Sequence, residues 1–99
     1  MTRRLKRPPT TPGEILREEF LAPLGITQRQ LADHIGCDVK VINRVVNGRT
    51  KMGVSLAVRL ASALHTTAEF WLNAQRAVDL FEEYQRSSSL PEPIRPTGS

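Results

Sequence analysis

The stretch from Gln28 to Asn47, QRQLADHIGCDVKVINRVVN, constrains this chain more than any other. Leu31 and Ile35 stand one helical turn apart with Ala32 beside them, so a helix here has an apolar inner face with one spot free of bulk, where a second helix can cross closely. Gly36 follows, and glycine enters the left-handed conformation that ends a helix without the Cβ penalty other residues incur. Asp38 then offers a side-chain oxygen to the open N–H groups of a new helix whose Ile42 and Val45 point inward. Two short helices joined by a tight turn are therefore expected. The single cysteine, Cys37, falls in that turn, where a small apolar residue is wanted, and one cysteine makes neither an internal disulfide nor a metal cage. No metal ligand set and no cofactor site are expected.

The outer face of the second helix carries Val39, Lys40, Asn43, Arg44 and Asn47. Hydrogen-bond donors beside one small apolar group suit base edges and phosphates in a DNA major groove. These residues, with Thr27 and Gln28 ahead of the first helix and Arg49 and Lys51 in the following loop GRTKMG, form the candidate DNA surface. Charge supports the assignment: the formal net charge is +4, which favours a polyanionic partner. The excess lies in two places, the opening segment with Arg3, Arg4, Lys6 and Arg7 and the stretch from Gln28 to Lys51. The arrangement resembles the helix-turn-helix of phage-repressor-like proteins, with Gln28, Leu31, Ala32, Ile35, Gly36, Ile42 and Val45 where that motif wants them.

The remaining chain supports these two helices. Residues 1–10 are basic, proline-rich and aperiodic, a flexible arm that touches DNA phosphates or stays solvated. Thr11, Pro12 and Glu14 make a capping box with proline at the first helical position, opening a helix to about Leu21 with Ile15, Leu16, Phe20 and Leu24 toward the core and a turn at Ala22 to Gly25. Its other face is mostly acidic and is expected to point away from DNA. Thr27 with Gln30 repeats the capping box, and a threonine at a helix N-terminus can also hold a phosphate. Leu56, Ala57, Leu60, Ala61 and Leu64 mark a fourth helix, capped by Ser55 or begun slightly earlier. Thr66 or Thr67, with Glu69 in capping-box range, starts a fifth helix running toward Tyr84. Its apolar surface, Phe70, Trp71, Ala74, Val78 and Phe81, is wider than one small core covers, so these residues are assigned to a homodimer interface. The expected fold is all-α, a five-helix dimeric domain over residues 11–86, followed by a disordered serine- and proline-rich tail over 87–99. No apolar run is long enough to span a bilayer and no signal peptide follows the basic start, which points to the cytoplasm.

Two further runs, PGEILREEFLAPLGIT at Pro12 to Thr27 and AEFWLNAQRAVDL at Ala68 to Leu80, are distinctive together with the motif and resemble HigA-type antitoxins over about Pro12 to Phe81. That resemblance implies a dimer that represses its own operon on a palindromic operator and neutralises a small basic RNase toxin, RelE-like and of the HigB kind. The chain departs from the family pattern at Thr11, where histidine is common, at His65, where glycine usually ends the fourth helix, and at Ala68, often proline. Under this reading the toxin needs a surface away from the recognition helix. Glu14, Arg17, Glu18 and Leu21 of the first helix are the candidates, an acidic face suited to a basic partner, with an ordinary solvated face as the alternative. A stand-alone repressor without a toxin is the rival function, and a helical interaction module without DNA binding stands behind it. Catalysis has little support: His34 and His65 are isolated, and neither a carboxylate pair nor a glycine-rich phosphate loop accompanies them.

Overall fold

The computed structural model describes residues 7–96, so the arm cations Arg3, Arg4 and Lys6 lie outside the described residues. Five helices form the domain, and there is no strand among the described residues. Helix α1 joins three contiguous segments, Pro12–Ile15, a π-helical stretch Leu16–Leu21 and a last turn Ala22–Leu24. Helices α2, Gln28–Ile35, and α3, Val39–Val46, are the two helices of the central motif; α4 is Val54–Leu64 and α5 is Ala68–Arg86. Residues 87–96 carry no regular secondary structure.

Helix ends follow local chemistry. The Thr11 hydroxyl accepts from the Glu14 N–H at 3.1 Å while the Glu14 carboxylate accepts from the Thr11 N–H at 3.2 Å, so threonine closes the capping box. Thr27 and Gln30 repeat the exchange at α2, at 3.0 and 2.9 Å. Asp38 caps α3 through the Lys40 N–H at 2.8 Å. Gly36 ends α2 at φ 76°, and His65 ends α4 in the same left-handed region at φ 57°, the one described non-glycine residue with positive φ. Helix α4 begins slightly before Ser55, as the second of the two expectations has it, with Gly53 at its N-cap and no side-chain cap. Of the two threonines before α5, Thr67 is the cap; its hydroxyl takes the Phe70 N–H, and Glu69 sits one position too early to close a capping box.

Helix α1 departs from expectation through its π-helical stretch. The Ala22 N–H reaches the carbonyl of Arg17, five residues back, so each hydrogen-bonded loop here holds one residue more than in an α-helix. Its buried row then runs from Leu16 to Leu21, 0 and 6 % exposed, and Leu24, expected inside, is 58 % exposed. Ala22 to Leu24 are helical, and the turn is Gly25 at φ 67°.

All five helices converge on one core built from Leu16, Leu31, Ala32, Ile42, Leu60 and Trp71, with Val45, Val46, Met52, Leu56, Ala57 and Leu64 around them. Trp71 is fully buried, its indole N–H donating to the Thr66 hydroxyl at 2.8 Å and its ring 5.4 Å from Phe20 and 5.0 Å from Phe70. This removes Trp71 from the dimer interface to which the sequence assigns it: α1 and α4 close over it within the protomer. Ala74, Val78 and Phe81 are half-buried in the same chain. Phe70 stays 40 % exposed, so of the residues assigned to that interface only Trp71 is closed off within the protomer.

Candidate nucleic-acid interface

The exposed side of α3 presents Lys40, Asn43, Arg44 and Asn47, four polar side chains on one face of a helix whose Ile42, Val45 and Val46 are buried. Val39 is only half-exposed and packs against the core, so at most its edge is offered to a ligand. Gln28, the first residue of α2, reaches the same face: its side-chain Oε1 accepts from the Asn43 side-chain amide at 3.2 Å. That bond joins the two helices of the motif through polar groups that both face outward, fixing two base-reading candidates relative to each other. Thr27 is exposed beside them, although its hydroxyl is occupied in the capping box.

Three residues with no assigned role in the sequence set the frame of this face. The Arg59 guanidinium donates to the carbonyls of Ile35 and Gly36 at 2.8 and 3.2 Å, satisfying the open C-terminal end of α2 with a cation where the helix dipole favours one. Arg59 is the single charged residue in α4, VSLAVRLASAL, and that isolation is the signal that identifies it. Gln75 of α5 accepts from the Met52 N–H at 2.8 Å and donates to Asp79 at 3.0 Å. Met52 is buried, so the loop after α3 is anchored and not simply solvated. Gly13 is the third: α1 crosses the end of α3 there so closely that a Cβ would lie 2.1 Å from the Val45 carbonyl oxygen. Its one sequence signal is a glycine inside a helix, where alanine is normally preferred.

The loop cations differ in availability. Arg49 is exposed, with its backbone N–H bonded to the Arg44 carbonyl at 2.8 Å. Lys51 is ion-paired with Asp79 at 3.1 Å. The hydrogen bond from Gln75 holds the Asp79 carboxyl below its ordinary range, burial opposing and Lys51 adding to it, so the group is a carboxylate at neutral pH and the pair persists until acid protonates it. Lys51 must therefore exchange a carboxylate for a phosphate to bind DNA. Cys37 is half-buried, and burial pushes its thiol up, Arg59 pulling the other way, which disfavours the thiolate at neutral pH.

The candidate toxin face also changes. Glu14 and Glu18 are exposed, but Glu14 is engaged in the capping box and Glu18 pairs with Arg17 at 3.1 Å. Leu21 is buried by the π turn and drops out of that face. No group of three or more His, Cys, Asp or Glu is placed to hold a metal among the described residues, and no helix there is long and apolar enough to cross a membrane.

Known proteins share this geometry. The helix-turn-helix family model matches residues 16–71. Antitoxin HigA-1 of Vibrio cholerae is 40 % identical over 95 residues, covering 93 % of this chain and 90 % of its own. The antitoxin GraA in complex with its operator superposes with a TM-score of 0.83 at 34 % identity, over 96 % of this chain and 99 % of that one. The Pseudomonas aeruginosa antitoxin HigA with the higBA promoter gives a TM-score of 0.75 at 34 % identity, over 78 % of this chain and 84 % of that one. With the motif, the flanking helices and near full-length relatives in agreement, the chain belongs to the HigA-type antitoxin family of helix-turn-helix proteins.

Proposed function

We propose that this chain is an antitoxin and autorepressor, a cytoplasmic binding protein without catalytic activity that sits as a homodimer on a palindromic operator of its own operon. The observation that supports this most is the rigid, outward face of α3, with Lys40, Asn43, Arg44 and Asn47 exposed on a helix framed by Arg59, Gln75 and Gly13. Two such helices related by a dyad fit half-sites about one or two DNA turns apart, roughly 34 Å per turn. Lys40 and Arg44 read bases, Gln28 is braced by Asn43, and Arg49 holds a phosphate. Thr27, Asn47 and Lys51 lie at the margins of the contact.

The test is quantitative binding to the operator and to an unrelated duplex over a range of salt. Arg44→Ala should cost about 1–3 kcal/mol on the operator and relax preference at one base position. Arg49→Ala should weaken both duplexes alike and lower the salt slope by about one. Equal losses on both duplexes in both variants would remove Arg44 from base reading.

For the toxin, the acidic side of α1 around Glu14, Arg17 and Glu18 is the surface we assign, because it leaves α3 free and opposes the basic surface of an RNase. Glu14→Gln keeps the capping box and Glu18→Lys reverses the exposed charge. The double variant should bind its toxin more weakly and its operator as before; unchanged toxin binding in a pull-down titration would move the contact elsewhere.

A further inference from the structure

Helix α5 sets acids against the cations of the loop after α3. The Lys51 ammonium lies 3.1 Å from Oδ1 of Asp79, and Glu82, three residues further along the same side of α5, lines the groove that Arg49 and Lys51 border. Both partners of the pair are held in place. Gln75, one turn before Asp79, donates through Nε2 to the same Asp79 Oδ1 at 3.0 Å and accepts the Met52 N–H through Oε1 at 2.8 Å. One side chain therefore fixes the acid and also the backbone next to the base. Exposed ion pairs are usually weak because two long side chains must be ordered to form them. Here Gln75 has ordered the acid and the adjoining backbone before the pair closes. Both side chains stay open to solvent, at 68 and 41 % exposure, so a DNA phosphate can still reach the ammonium.

The carboxylate stands where that phosphate would bind. Each is an anionic acceptor, and lysine meets either as a compact point charge. An unpaired lysine that takes a phosphate releases a counterion from the duplex, which is the source of its contribution to binding and of its salt dependence. With Asp79 present that release is cancelled. Lysine either stays on the carboxylate, or moves to the phosphate and leaves a bare carboxylate that collects a cation of its own.

We propose that Asp79 is a built-in competitor for DNA phosphate, an autoinhibitory contact that masks Lys51 and limits the affinity of the chain for every duplex alike. It rests on the DNA-binding reading given above. Base preference is untouched, because Lys51 lies in the loop and outside the polar row of α3. Arg49, exposed on the same loop, remains the phosphate contact of the unmodified chain.

The experiment titrates the full chain with its operator and with an unrelated duplex over a range of salt. Asp79→Asn keeps an amide oxygen that can accept from Gln75 and removes the charge. It should raise affinity for both duplexes about 5-fold at about 0.15 M salt and steepen the salt slope by about one. In a Lys51→Ala chain the same substitution should change little. Glu19→Gln, an equal charge change at an exposed position of α1, should leave affinity near the wild-type value, and dichroism melts verify that each variant is folded. An equal gain from Asp79→Asn with and without Lys51, or as large a gain from Glu19→Gln, would show general repulsion and overturn the proposal, as would no gain at all. A chain that shows the masking on the unrelated duplex yet prefers no operator keeps the contact and sinks the repressor reading. A chain that prefers its operator and gains nothing from Asp79→Asn does the reverse.

Discussion

Gly13→Ala should be among the most damaging single methyl additions in this chain. The new Cβ would stand 2.1 Å from the Val45 carbonyl oxygen and 2.8 Å from the Val46 Cα, both backbone atoms, so no rotamer change relieves the clash. Alanine's helix propensity returns about 0.5–1 kcal/mol, whereas forcing apart two packed helices costs about 1–3 kcal/mol and occasionally more. The two contributions differ in size, and the clash wins. In a domain of this length each kcal/mol moves the melting temperature by about 4–8 °C, so a fall of about 10 °C is expected by circular dichroism. Because Val45 and Val46 belong to α3, operator affinity should fall even below the melting range. Gly53→Ala is the control: nothing lies within 4 Å of its Cβ position and its φ is −96°, an ordinary value. A Gly13→Ala protein that melts with the wild type would show that α1 can lift off α3 at little cost.

What the sequence made legible was local. Thr11 with Glu14, Thr27 with Gln30, and Asp38 ahead of α3 each act across two or three residues, and each cap forms as expected. Gly36 and His65 end their helices in the left-handed region for the same short-range reason. The polar face of α3 follows from helical periodicity once its ends are known. What stayed hidden depends on contacts between distant elements. The π turn in α1, which buries Leu21 and exposes Leu24, has no residue signature of its own, since Leu16, Phe20 and Leu24 read as a sound α-helical row. The crossing at Gly13 needs the position of α3, and Arg59 needs the end of α2 brought beside α4. The width of α5's apolar face is visible in its periodicity, but the sequence does not say that Trp71 alone of that face is fully buried by the same chain.

Trp71→Ala should therefore act on folding and not on association. The side chain is fully buried in the protomer and touches Phe20 and Phe70 while its N–H satisfies the Thr66 hydroxyl. Removing a buried tryptophan of this kind costs about 3–5 kcal/mol, a large part of the about 5–15 kcal/mol that a domain of this size has in total. The variant should be substantially unfolded near 37 °C, a loss visible in the far-ultraviolet dichroism since the sole tryptophan is gone. Trp71→Phe should retain more of the packing and lose the Thr66 hydrogen bond, about 0.5–1.5 kcal/mol for that bond. The decisive comparison is with protein concentration. An interface residue weakens a dimer, so its cost shrinks as concentration rises and mass action restores association; a core residue costs the same folding energy at every concentration. A Trp71→Ala melting temperature that climbs back to the wild-type value at high concentration would return Trp71 to the interface. A deficit that persists from micromolar to millimolar chain places it in the core, where it holds α5 against Phe20 of α1.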